Sequence, residues 1–114
     1  MIAAGQIVLF RFPQSDLEEG KLRPALLLGH LPGEYDDWLV CMISSQIRHY
    51  VAGFDELLQE ADPDYGQSGL KSPSVVRVGR LAVVQEAVLL GAIGQVAPAR
   101  LRRIKSRLAD WLSK

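Results

Sequence analysis

Short apolar runs separated by turn-forming residues make up most of the chain up to about residue 96. The first run covers residues 6–12, where β-branched and aromatic side chains favour a strand. Residues 23–29 and 37–44 form two further runs, and both are apolar at consecutive rather than alternate positions. Strands of that kind are buried on both faces. The pattern predicts a mainly β protein built as a small closed or half-closed barrel.

The second half of the chain contains weaker strand signals. Residues 73–78 have strand chemistry, and residues 81–84 continue the strand beyond a kink at Gly79. Residues 88–96 predict a last strand or pair of strands, in which glycines allow bends or close backbone approach.

Polar and turn-forming residues predict two loops, at 14–22 and 62–69. The segment 55–60 fits a short helix or an edge strand equally well, so the sequence leaves it unassigned.

A terminal helix begins at Pro98, a residue that suits the first helical position. Apolar side chains recur at helical spacing and predict one buried face, at Leu101, Ile104, Leu108, Trp111 and Leu112. The opposite face is basic. It is explained either as a solvated face on a docked helix or as a surface that contacts phosphate.

Size and charge point to one domain covering residues 1–114, without a strong overall field. The 114 residues suffice for a single core, and 13 basic residues balance 13 acidic ones. Cys41 is the only cysteine, which excludes an intrachain disulfide and a cysteine-based metal cage. With no recognisable secretory or membrane segment, we expect a soluble cytoplasmic protein.

The two buried strands predict a pair of polar side chains at one barrel rim. A hairpin about residues 32–35 with a symmetric register pairs positions whose numbers sum to 67, which places Arg23 opposite Ser44. Directly opposed residues have Cβ atoms roughly 5 Å apart. The same register pairs Lys21 with Gln46. A guanidinium and a hydroxyl at that separation can hold one phosphate between them.

Five segments, in this order and spacing, resemble the MazF/PemK family of toxins from bacterial toxin–antitoxin pairs. They are GQIV (5–8), KLRPALLL (21–28), ISSQ (43–46), SVVR (74–77) and IGQV (93–96). The resemblance covers nearly the whole chain. It implies an SH3-like half-open β-barrel of the MazF/CcdB type that acts as an endoribonuclease on single-stranded RNA. It also implies a homodimer with RNA across the subunit interface, and a cognate antitoxin with a flexible acidic tail.

The resemblance implies catalytic roles for Arg23, the arginine before a proline, and for Ser44, where most relatives carry threonine. Arg77 matches an arginine that some PemK-type members use near the scissile phosphate. The acidic residue two places later in those members is Gly79 here, so a mechanism through that carboxylate is not expected. The family's usual first-loop signature is also replaced, at residues 15–20, so a different RNA sequence preference is expected.

RNA carries its own nucleophile, because the 2′-hydroxyl can attack the adjacent phosphorus. The protein need only stabilise charge and move protons, so neither a metal nor a cofactor is expected. Arg23 offers a planar fork of donors matched to phosphate oxygens, and Ser44 would donate to a nonbridging oxygen. We expect the RNA-binding residues to be Lys21, Ser45, Gln46 and Arg77.

Two other functions fit the same fold. A CcdB-like toxin binds DNA gyrase without catalysis, although the ending Leu112-Ser113-Lys114 differs from the tryptophan, glycine and isoleucine of those proteins. A catalytically degenerate barrel would only bind RNA or a partner protein. Other candidate residues have structural explanations: surface positions for His30 and His49, and a core position for Cys41. Trp38 and Trp111 are both interpreted as core or dimer contacts.

Overall fold

The structure is a computed structural model that describes residues 2–11 and 22–114. Its strands form one antiparallel six-stranded sheet in the order β4-β5-β3-β2-β1-β6. The predicted fold class is confirmed, because the sheet curls into a half-barrel closed by a C-terminal helix. The elements are β1 (Gln6–Arg11), β2 (Leu22–His30), β3 (Asp37–Ser44), β4 (Glu56–Leu58), α1 (Tyr65–Ser68), β5 (Ser74–Gln85), β6 (Ala92–Gln95) and α2 (Pro98–Leu112).

The double burial predicted for β2 and β3 is confirmed. Successive β2 residues, Ala25 to Leu28, are all buried. Leu26 and Leu28 belong to the core cluster that packs under α2, whereas Ala25 and Leu27 belong to a second cluster on the other face of the sheet. The alternation of side chains along a strand explains this division. Leu22, assigned to a loop from the sequence, in fact opens β2; the rest of that predicted loop lies outside the described residues.

The hairpin register predicted from the sequence is confirmed where the strands pair. Ala25 pairs with Met42 and Leu26 with Cys41, and both sums are 67. A shift between Leu27 and Gly29 changes the register nearer the turn. The polar end of the hairpin is therefore in the expected alignment, and the irregularity lies at its far end.

The predictions for the second half of the chain agree with the structure only in part. The unassigned segment 55–60 contains β4, which pairs with β5 at the edge of the sheet. The loop predicted at 62–69 contains the single-turn helix α1. Its four residues are too few to show a helical period in the sequence. β5 runs through Gly79, as predicted, with a register shift between its pairs Arg77–Met42 and Leu81–Cys41. For residues 88–96, the sequence predicted one strand or a pair, and the structure has the single strand β6.

Helix α2 packs through only part of its predicted apolar face. Ile104 and Leu108 are buried in the core cluster and Leu101 packs against it. Trp111 and Leu112 were predicted to share this face, but they are 58% and 64% exposed because the last turn extends beyond the buried cluster. Within residues 2–11 and 22–114, no helix combines the length and apolarity needed to cross a membrane.

The basic side of α2 divides into two parts. Arg102 and Lys105 are exposed, as a solvated face requires, whereas Arg100 is buried and fits neither interpretation from the sequence. Arg100 is buried and donates from Nε and Nη2 to both carboxylate oxygens of Asp64, and from Nη1 to Glu56 and to the Leu57 carbonyl. Arg103 and Arg107 also donate to Glu56. We call Arg100, Arg103 and Arg107 the anchoring arginines, because they tie α2 to β4 and to the residues before α1.

Electrostatics within this cluster follow from the contacts. Burial alone would raise the pKa of Asp64, but hydrogen bonds from Arg100 and from the Ala97 amide outweigh it and hold that pKa below its ordinary value. The hydrogen bond to Glu56 raises the pKa of Arg103. The charged forms of these groups are therefore the stable ones in the folded protein.

Two glycines allow the residues after α1 to lie directly on β6. A Cβ at Gly94 would come within 2.3 Å of the Ser68 backbone. A Cβ at Gly69, whose φ is +75°, would come within 2.1 Å of the Ile93 carbonyl oxygen. Real Cβ atoms do not approach so closely. The loop from Gly69 to Ser72 thus starts from a fixed position beside the sheet.

Candidate active site

A groove of about 540 Å³ opens at the rim where β2 begins and β3 ends. One wall consists of residues 22–24 and 43–46, and the other consists of residues 69–72. We call it the strand-end groove. Its described lining residues include no aspartate or glutamate. An anionic ligand therefore meets no opposing carboxylate among them.

Arg23 and Ser44 lie together on the first wall. Continuing the confirmed register by two residues from Ala25 and Met42 places them opposite each other, with their side chains on the same face of the sheet. Arg23 is exposed and Ser44 is half-buried. The Ser44 hydroxyl oxygen accepts a hydrogen bond from the Gln46 amide at 3.1 Å, which orients the side chain and leaves its own hydrogen to donate.

Ser45 and Gln46 continue the same wall and are exposed. The Gln46 side-chain oxygen accepts a hydrogen bond from Arg48 at 2.8 Å. Its amide hydrogens therefore face outward as donors. Lys21, the predicted partner of Gln46, lies outside the described residues.

Arg77 does not line the strand-end groove. It pairs with Met42, and Val75, two residues earlier on β5, pairs with Ser44, so Arg77 lies on the sheet face that carries Arg23 and Ser44. It lines a separate cavity of about 190 Å³ with Phe54 and Arg80. The Arg77 Nε is buried and has no hydrogen-bond partner.

Sequence reasoning missed Lys71, which lies on the second wall. It is exposed and faces the groove from the loop that Gly69 and Gly94 hold beside β6. No local pattern marks it, because the contact between this loop and the start of β2 is long-range. Gly69 and Gly94 were the available signal, since close backbone approach is one reason for glycine near a strand.

The remaining candidates behave as predicted. His30 and His49 are exposed, and His30 lies 3.5 Å from Asp36. Cys41 is fully buried, and burial, with the nearby charge of Asp55, raises the pKa of its thiol to about 12. Trp38 is buried in the second core cluster. Across the two described stretches, no group of three or more His, Cys, Asp or Glu side chains is placed to hold a metal ion.

Solved structures of small toxins have the same fold. MazF of Deinococcus radiodurans superposes with a TM-score of 0.70 at 22% identity, covering 99% of this chain and 97% of that one. A MazE–MazF structure from the same organism gives 0.71 at 21% identity, over 98% and 96%. Mycobacterium tuberculosis toxin MazF-mt6 gives 0.68 at 17% identity, over 95% and 96%. These likenesses define the class: a MazF-type barrel.

The family follows from the sequence itself. The family of PemK-like, MazF-like toxins of type II toxin–antitoxin systems matches residues 3–112. The chain therefore belongs to this family, as its five motifs indicated. A comparison with curated proteins found no significant match.

Proposed function

We propose that the protein is the toxin of a type II pair that acts as a sequence-selective endoribonuclease on single-stranded RNA. The observation that carries the proposal is the strand-end groove, in which Arg23 and Ser44 share one wall and the described lining residues include no carboxylate. The family resemblance also supports the proposal, because Arg23 and Ser44 lie in motifs that follow the order found in the family. RNA is the polyanion whose cleavage needs such donors and no metal.

In the proposed reaction, the 2′-oxygen of one nucleotide bonds to the adjacent phosphorus while the bond from phosphorus to the 5′-oxygen breaks. The 2′-hydroxyl loses its proton and the leaving 5′-oxygen gains one, giving a 2′,3′-cyclic phosphate and a 5′-hydroxyl end. Arg23 binds the phosphate through its fork of donors and stabilises the charge that develops. Ser44 donates its hydroxyl hydrogen to a nonbridging oxygen.

The flanking RNA is bound by residues next to this pair. Ser45 and Gln46 extend the wall beyond Ser44 and offer side-chain hydrogen-bond donors. Arg77 contributes positive charge from the same sheet face. Lys21, two residues before Arg23, completes the proposed RNA-binding set.

The proposed partners of the protein are a cognate antitoxin and a second copy of the chain. One solved relative is described as an endoribonuclease in complex with its cognate antitoxin, and two D. radiodurans structures contain MazE with MazF. We propose that an acidic segment of a cognate antitoxin occupies the groove and neutralises Arg23, and that the toxin is a homodimer with RNA across its interface. Its site of action is the cytoplasm, where its RNA substrate is found.

The first experiment asks whether purified protein cleaves RNA in the presence of a chelator. We expect fragments ending in a 2′,3′-cyclic phosphate. Arg23→Ala should lower the rate by about a hundred- to a thousandfold, the usual effect of losing one donor to a developing charge, and leave the melting temperature nearly unchanged. Arg102→Ala, which removes an exposed arginine from α2, is the matched control and should cleave at the wild-type rate.

Intact RNA beside a folded wild-type dimer would refute the nuclease and favour a binding toxin, either a CcdB-like protein that captures gyrase or a barrel that only binds RNA. Wild-type rates in the Arg23 variant would remove Arg23 from the mechanism.

A further inference from the structure

We infer that the strand-end groove grips two phosphates, one at Arg23 and one at Lys71, with the intervening nucleoside over an apolar floor. This inference rests on the proposed function and deepens it. It assigns to Lys71 and to the loop that carries it a role in binding RNA next to the cleaved linkage. The consequence is that one nucleotide beside the scissile phosphate is enclosed between two walls rather than lying on an open surface.

The charge pattern of the groove is the first argument. Arg23 and Lys71 are the two cations among its described lining residues, and they come from different segments, the start of β2 and the loop after α1. Across the described parts of the chain, neither takes part in an ion pair with a carboxylate. The anchoring arginines of α2, by contrast, are all paired. Two unpaired cations across one groove fit a ligand with two separated negative charges.

The apolar floor of the groove is the second argument. Leu9, Leu70 and Ile93 line the groove and are partly buried, and Leu70 and Ile93 also pack against the core cluster. An anion over this floor would have apolar neighbours, whereas the face of a base or a ribose would not lose hydrogen bonds there. The groove volume of about 540 Å³ lies within the ~300–1,000 Å³ typical of small-ligand sites. Two cations and an apolar surface in one groove match the two phosphates and the base or ribose of a nucleoside that joins them.

The fixed position of the loop is the third argument. The close approach of Gly69 to Ile93 and of Gly94 to Ser68 holds the start of the loop against β6, and the Ser74 hydroxyl donates to the Ser72 carbonyl at 2.9 Å near its other end. Lys71 lies between these two attachments. A cation on a fixed backbone loses less conformational entropy on binding than one on a free loop.

The test measures binding rather than cleavage. The probe is a labelled oligoribonucleotide containing the sequence that wild type cleaves fastest, with a 2′-deoxy sugar at the cleaved position so that it stays intact. Anisotropy titrations at a series of salt concentrations give the dissociation constant and its salt dependence. We expect Lys71→Met to weaken binding several-fold and to make the slope of log affinity against log salt shallower by about 0.7–1, the effect of losing one phosphate contact.

Lys114→Met is the matched control, because it removes one exposed lysine charge at the end of the chain, away from the lining of the groove. It should change affinity by less than about twofold, since Lys114 is not among the residues that line the groove and salt screens exposed charges. An equal loss in both variants would show a general charge effect and overturn the assignment.

A double-mutant cycle that combines Lys71→Met with modified RNA linkages identifies the phosphate that Lys71 contacts. Neutral methylphosphonate linkages are placed, one at a time, on either side of the scissile phosphate. In wild type, one of these should weaken binding, and in Lys71→Met the same linkage should cost nothing further. The inference is wrong if every linkage has the same effect in both proteins. If wild type cleaves RNA while Lys71→Met binds RNA like wild type, this inference is wrong but the proposed function stands. Absence of both cleavage and RNA binding would instead refute the proposed function itself.

Discussion

Two regions of this small barrel, the α2 helix and the strand-end groove, use arginine in opposite ways. On α2, Arg100 is enclosed and its guanidinium donates to Asp64, Glu56 and a backbone carbonyl. At the groove, Arg23 is exposed, and no carboxylate is among the described residues that line its surroundings. The residue type is the same and only the supply of acceptors differs. The difference separates a cation that is neutralised inside the fold from one that is not.

Net charge hides this division. The chain as a whole carries no net charge, and the helix has the greatest density of basic residues. Yet its central arginines are neutralised internally by Glu56 and Asp64, whereas the sparser cations of the groove face solvent. Pairing therefore offsets the charge of these arginines, whereas Arg102 and Lys105 on the same helix stay exposed. Position relative to acceptors, and not the count of basic residues, separates the paired cations from the unpaired ones.

The largest expected effect is the loss of Arg100. Arg100→Met removes the partner of two buried carboxylates, and breaking such a network from one side typically costs about 3–5 kcal/mol. Urea unfolding followed by circular dichroism measures the loss. Arg102→Met, an exposed change on the same helix, should stay within about 0.5 kcal/mol.

A loss below about 1 kcal/mol for Arg100→Met would contradict the anchoring role and remove the contrast between α2 and the groove. RNA binding per molecule of folded protein should not change in this variant, because Arg100 does not line the groove.

The sequence predicted these two regions unequally, for a physical reason. Arg23 and Ser44 belong to one hairpin, so counting from the turn was enough to align them, and the register at Ala25 and Met42 confirmed the count. Arg100 and Glu56 are joined by a long-range contact that no periodicity encodes, so the helix was assigned correctly while the burial of Arg100 was not predicted. Local spacing predicts elements; it does not predict what a long side chain reaches.

The same limit explains the missed half of the groove. Lys71 comes to the strand ends only because Gly69 and Gly94 let two backbones touch, and a sequence shows the glycines without showing what they contact. β4 was undecided for a related reason: three residues are too few for any period to appear.

The second expected effect concerns Ser44. Ser44→Ala should lower the cleavage rate by about a hundred- to a thousandfold, because it removes a hydroxyl donor to the phosphate. It also removes the acceptor for the Gln46 amide, so a stability loss of about 0.5–1.5 kcal/mol should accompany it. Single-turnover cleavage below the melting range separates the two effects.

Ser44→Thr is the matched variant, since it keeps the hydroxyl and adds a methyl group that restricts the rotamer. We expect its rate to equal or exceed that of wild type. A rate as low as that of the alanine variant would show that the hydroxyl is not the group that acts.

The smallest expected effect is the loss of Arg103, which shares one acceptor with Arg100. Arg103 donates to the same Glu56 oxygen as Arg100, at 2.8 Å against 3.0 Å, yet its side chain is 51% exposed. Water screens an exposed pair, so Arg103→Met should cost only about 0–1 kcal/mol although its hydrogen bond is the shorter one. Glu56 keeps Arg100 and Arg107 as donors in that variant, so no buried charge is left alone. Urea unfolding of both variants under identical conditions tests this directly. Equal losses for Arg103→Met and Arg100→Met would mean that burial does not distinguish them, and that the shared carboxylate alone sets the strength of the anchor.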